Sequence, residues 1–211
     1  MAVILMETAL AASAVVPFTL TGPGVNPADF EVTIFSSGLD YPNGMVELED
    51  GSILVAVSDG SPEYFSGAGR IVRLEDTDGD GVADGLPTVL TSGLAPPLTA
   101  LDREGSLVFA MGAAAPIYIF RTGATPASTL TLIGQIDFDY SASREYHGNS
   151  ALLVRKAPGV DDRYELIFQI GGEENFAEPV DTIPISSSNV INKSGSLLMI
   201  LPRSRFGANR C

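Results

Sequence analysis

One cysteine, one histidine and twelve basic residues in 211 positions limit what this chain can do. The cysteine is Cys211, the last residue, so no internal disulfide forms and cysteine usage leaves the redox compartment open. No G-x-S-x-G, P-loop or zinc-ligand spacing occurs, which removes the commonest hydrolase, nucleotide and zinc signatures. Positive charge is scarce where negative charge is dense. Residues 1–143 hold 4 basic and 18 acidic side chains, and residues 144–211 hold 8 of each, so the first part accounts for the whole net charge of −14. Such a surface repels phosphate backbones and excludes a nucleic-acid partner, while it suits cations. Long apolar runs are equally scarce. Within the opening "MAVILMETALAASAVVPFTL" an apolar stretch ends in small residues, as in a signal peptide; the missing Lys/Arg n-region and Glu7 argue the other way. Export stays open on that segment, which is too short and interrupted for a stable membrane span.

What is abundant is turn chemistry, with 22 Gly and 14 Pro, and short β-rich runs between the turns. "FEVTIF", "SILVAV", "GRIVRLE", "PTVLT", "SLVFAM", "PIYIF", "STLTLIGQI", "YELIFQI" and "GSLLMIL" are rich in Val, Ile, Leu, Phe or Tyr. An all-β chain follows. A repeat organises it: "SGLDYPNGMVELEDGSILVAV" from Ser37 is echoed by "SGLAPPLTALDREGSLVFAM" from Ser92. Gly38 matches Gly93, Pro42 matches Pro97 and Gly51-Ser52 matches Gly105-Ser106, an offset of 54 to 55 residues. "HGNSALLVRKAPGVDDRYELIFQIG" is a looser third copy. Each unit reads as inner strand, acidic-Gly turn, second strand, then outer strands, which is the pattern of propeller blades; a β-sandwich with similar hairpins is the alternative. From residue 29 onward the chain holds about 3.4 such units, fewer than the 4 to 8 blades of a closed propeller. The expectation is a leader or spacer over 1–28, an incomplete propeller over 29–202 and an irregular tail over 203–211, with self-association through open blade edges.

Within the first unit, "RLEDTDGDGVADGLP" sets four aspartates in nine positions. Asp76, Asp78 and Asp80 stand at positions 1, 3 and 5 of a D-x-D-x-D-G pattern, with Gly81 at the sharp turn. Val82 would offer its backbone carbonyl at position 7, and Asp84 falls at position 9. Alternate carboxylates on a tight loop converge, and a hard cation such as Ca²⁺ relieves their repulsion. Position 12 is Pro87 and the flanks read as strands, so this is an EF-like calcium loop placed between strands. A solvated Asp/Gly turn without an ion is the alternative.

The order "SSGLDYPNGMVELEDGSILVAVSDG", "GRIVRLEDTDGDGVADGLPTVLTSGLAPPLTAL", "YHGNSALL", "LIFQIGGEEN" and "GSLLMI" resembles the glucose/sorbosone dehydrogenase-type propellers. The resemblance covers roughly residues 30–200. It implies a six-bladed propeller of which about three blades are present, a periplasmic or extracellular setting, calcium, and pyrroloquinoline quinone (PQQ) oxidising a sugar or aldehyde. It also implies roles for two residues. His147 in "HGNSALL" matches the family's catalytic base, and Asn149 would bind substrate at the same central mouth. The family's quinone-holding Arg-Asn pair has no counterpart, since no such dipeptide occurs here, and with about three blades the chain is expected to be a fragment that is inactive alone. Two rival readings remain: a non-catalytic, calcium-stabilised NHL-like binding propeller, and a lactonase-type propeller with its metal in the central channel.

Overall fold

The computed structural model describes residues 20–30, 32–58, 67–95, 97–113, 116–123, 129–138, 149–159, 163–169, 185–186 and 196–200. Among these the only helical piece is a 3-10 turn at Pro27–Asp29, started by Asn26, whose side chain accepts from the Ala28 N–H at 3.3 Å. Everything else regular is β. The first sheet is an antiparallel meander of β1 (Gly44–Glu47), β2 (Ile53–Ser58), β3 (Gly69–Leu74) and β4 (Thr88–Leu94). The second repeats the meander with β5 (Leu98–Glu104), β6 (Leu107–Gly112), β7 (Ile117–Thr122) and β8 (Leu130–Phe138), and β11 (Ile185–Ser186) pairs antiparallel with β8. In the third, β9 (Ser150–Lys156) pairs antiparallel with β10 (Arg163–Gln169), and β12 (Ser196–Ile200) runs parallel to β10. None of the three sheets closes on itself.

The repeat seen in the sequence is three hairpins, β1–β2, β5–β6 and β9–β10. Its alignment needs one correction. The first turn holds Glu49, Asp50 and Gly51 between Leu48 and Ser52, closed by a Leu48 N–H to Ser52 carbonyl bond of 2.7 Å. The second holds only Gly105 and Ser106, because Glu104 is already opposite Leu107. Gly51 is thus the last residue of its turn (φ +82°) and Gly105 the first of its own (φ +57°). Matching glycine to glycine sets Leu54 against Val108, but Leu54 packs toward the following sheet and Val108 toward the preceding one. The residue that packs forward from β6, as Leu54 does from β2, is Phe109. A slip of one residue reverses every side chain on a strand, so the turn length and not the glycine fixes the equivalence.

Alternation along the strands builds two internal layers. Leu48, Leu54, Ala56 and Ile71 of the first sheet meet Leu101, Val108, Ala110, Tyr118 and Phe120 of the second. From its opposite face the second sheet sends Ala100, Phe109, Met111, Ile117 and Ile136 against Val154, Leu166 and Phe168 of the third. The sheets therefore stack in chain order, face to face. Each fully buried Leu, Ile, Val, Phe or Met side chain among them contributes about 1.5–3 kcal/mol. The outer face of the first sheet, Val55, Val57, Val72 and Leu74, is covered by Phe35 and Leu39. The described part of "FEVTIF" after Glu31 is consequently not a strand: residues 32–39 run without ladder pairing, and Phe35 serves as a lid on that face.

First strands lie next to first strands, β1 against β5 and β5 against β9. Gly44 permits the first contact. A Cβ there would sit 2.8 and 2.9 Å from the carbonyl carbon and Cα of Ala100, and closer still to the Leu101 amide. A single buried cation stitches the first sheet across its turn. Arg73, 5% exposed, donates from Nε to Ser52 Oγ at 2.9 Å and pairs with Asp50 and Glu75 at 2.8 and 2.9 Å.

Candidate metal centre

The loop between β3 and β4 is shaped by its own carboxylates. Asp76 Oδ1 accepts from the amides of Gly79 (2.8 Å) and Asp80 (3.2 Å), and its Oδ2 accepts from Gly81 (3.0 Å). Asp78 accepts from the Asp80 amide at 3.3 Å and Asp80 from the Val82 amide at 2.8 Å. Side-chain bonds of this kind replace the strand ladder with a sequence of tight turns. Gly79 and Gly81, at φ +73° and +80°, supply the backbone conformations that those turns require. The loop is also fastened to the rest of the fold. Thr33 Oγ1 donates to the Gly81 carbonyl at 3.2 Å, the Ala83 amide donates to the Phe35 carbonyl at 2.7 Å, and Ala83 and Phe35 pack against the same apolar face of the first sheet.

This curvature gathers Asp76, Asp78 and Asp80, each of which has a carboxylate oxygen within 4.8 Å of the others. In water each such pair of charges repels by roughly 1 kcal/mol. Calcium binds oxygens at 2.3–2.6 Å, so ligands on one ion lie within about 5 Å of each other, and the three carboxylates fit that span. All-oxygen ligation excludes a soft-metal role and suits Ca²⁺ or Mg²⁺. Asp84 sits elsewhere in the hairpin. Its Oδ2 accepts from both the amide and the hydroxyl of Thr77 at 2.6 Å, which closes the base of the loop. Those bonds, the hydroxyl's first and the amide's second, hold its carboxyl below the ordinary aspartate range. Val82 is exposed, and its amide serves Asp80. Thr77 and Thr33 are contributors that the sequence pattern does not single out, since one hydroxyl in a Gly/Asp loop carries no recognisable spacing.

His147 lies outside the described residues. Asn149 is buried at 1% exposure, and its backbone N–H donates to the Ala113 carbonyl at 2.6 Å, tying the start of β9 to the end of β6. The structure therefore places Asn149 between the second and third sheets, well apart in the chain from the aspartate loop. PQQ is a polycarboxylate, and a site for it needs cationic side chains. Arg70, Arg73, Arg103 and Arg155 each face a carboxylate of this chain, Asp40, Asp50, Glu49 and Glu165 in turn, so the charge of these four is partly neutralised from within. Among the described residues no helix is long and apolar enough to cross a membrane.

No protein-family model, curated protein or solved structure matches this chain.

Proposed function

We propose that the three sheets are successive blades of a β-propeller and that the first blade carries Ca²⁺ in its β3–β4 hairpin. The observation that carries this reading is the stacking order: each sheet packs its forward face on the rear face of the next, with first strands adjacent. In this role the ion is structural. Asp76, Asp78 and Asp80 would hold it, and the hairpin it stiffens lies beside the segment that covers the first sheet's outer face. The activity attached to the fold by the sequence resemblance is oxidation of a sugar or aldehyde with PQQ, in a periplasmic or extracellular setting, with His147 as the base and Asn149 near the substrate. The quinone supplies the electron sink when bound.

The pairing of Arg70, Arg73, Arg103 and Arg155 with this chain's own carboxylates favours a second reading, a calcium-stabilised propeller that binds and does not catalyse. One experiment separates the two. A version of the chain extended to a full ring of blades, supplied with Ca²⁺ and PQQ, is assayed for dye-linked oxidation of sugars and aldehydes beside its His147→Ala variant. Turnover that His147→Ala abolishes supports the oxidoreductase; no turnover and no PQQ binding supports the binding module.

A further inference from the structure

The first strands of the first and third sheets, β1 and β9, are edge strands, each with one side unpaired within its own sheet. Unpaired strand edges carry backbone groups that invite foreign strands, and folded proteins cover them. Here the cover comes from two consecutive residues of β5. Asp102 lies opposite Phe109 and faces the third sheet, where its Oδ2 accepts the Val154 N–H of β9 at 2.5 Å. Arg103 lies opposite Val108 and faces the first sheet, where its Nε donates to the Glu47 carbonyl of β1 and its Nη1 comes within 4.0 Å of Glu49. The strand's period of two sends the acceptor one way and the donor the other. Each side chain supplies what the neighbouring edge needs: a carboxylate for a backbone N–H, a guanidinium for a backbone carbonyl. Asp102 is further held by the Arg103 amide, which donates to its Oδ1 at 2.8 Å.

We propose that Asp102 and Arg103 form a two-way clasp by which β5 locks the edge strands of both neighbouring sheets, so that the stack opens as one unit. Apolar layers alone tolerate sliding, because dispersion and burial are not directional. A charged side chain bonded to one particular backbone group fixes the register between sheets. Loss of the clasp on one side releases the sheet on that side and leaves the other in place.

Amide hydrogen exchange on the full chain, followed by mass spectrometry of fragments from each sheet, tests this directly. Asp102→Ala is expected to speed exchange in residues 150–156 by roughly 10- to 100-fold, the loss of a charge-assisted bond, while β2 and β6 keep their protection. Asp102→Asn retains an acceptor oxygen and is expected to stay within a few-fold of the parent. Arg103→Met is expected to loosen residues 44–58 and to spare β9. Equal acceleration in all three sheets for Asp102→Ala, or unchanged β9 exchange, overturns the clasp. Should Asp102→Ala fail to fold, the other two variants decide: β9 loosening in Arg103→Met, or more than tenfold loss of β9 protection in Asp102→Asn, contradicts it.

Discussion

Asp84 Oδ2 takes two hydrogen bonds from Thr77, one from the backbone and one from the hydroxyl, each at 2.6 Å. The pair pins together the two ends of the aspartate loop and keeps Asp84 ionised at lower pH than an ordinary aspartate. Between its folded and unfolded pKa values, folding therefore releases a proton from this group. The linked stability is present above the unfolded pKa of about 3.9 and is lost as pH falls through the lower folded value. Replacing Thr77 with Val removes the hydroxyl donor and keeps the amide. Carboxyl NMR titration is expected to show the Asp84 pKa rising toward the ordinary range in Thr77→Val; an unchanged midpoint would mean that the hydroxyl does not hold it.

The Arg73 cluster gives an asymmetric prediction. Burial pushes the Asp50 carboxyl up, but the bonds from Ser52 and from Arg73 outweigh it and leave the group below its ordinary range. Asp50→Ala leaves a guanidinium at 5% exposure with Glu75 as its remaining carboxylate. Arg73→Met instead leaves two carboxylates that water can reach. Urea unfolding at neutral pH is expected to find Asp50→Ala less stable by about 1–3 kcal/mol, and Arg73→Met less affected. The reverse order would contradict the buried-cation account.

Gly44 and Gly51 separate close approach from turn geometry. At Gly51 a methyl group meets nothing within 4 Å, and Gly51→Ala costs only its positive φ, about 1–2 kcal/mol. At Gly44 the same methyl group would run into the backbone of Ala100 and Leu101. Thermal unfolding is expected to show Gly44→Ala as the more damaging change by at least about 1 kcal/mol, since two first strands must separate to admit it. Equal effects would place β1 away from β5.

Much of this architecture was legible because turns and alternation are local. "SILVAV", "GRIVRLE", "SLVFAM" and "PIYIF" became β2, β3, β6 and β7, within a residue or two at their ends. The first strands were legible only through the repeat, since Gly44–Glu47 and Leu98–Glu104 mix charged with apolar residues, one face meeting a neighbouring sheet. Two features were hidden. Phe30–Phe35 has strand composition, yet Phe35 finds its partners on the first sheet's outer face. The phase between the first two copies depended on a turn of three residues against one of two, which matching glycines concealed. At the site, the D-x-D-x-D spacing pointed to Asp76, Asp78 and Asp80, which do converge. The bond between Thr77 and Asp84 follows from loop closure and has no spacing rule to announce it.

The proposed calcium ion of the β3–β4 hairpin would steady the stacked sheets. Thermal unfolding of the full chain in excess Ca²⁺ and in excess chelator tests it most directly, with Asp78→Ala and Asp80→Ala alongside. A ligand at 100 times its Kd stabilises by about 2.7 kcal/mol, so a rise of several degrees is expected in the parent, reversed by chelator and absent in both variants. Equal melting temperatures with and without calcium in the parent protein would mean that the hairpin holds no stabilising ion.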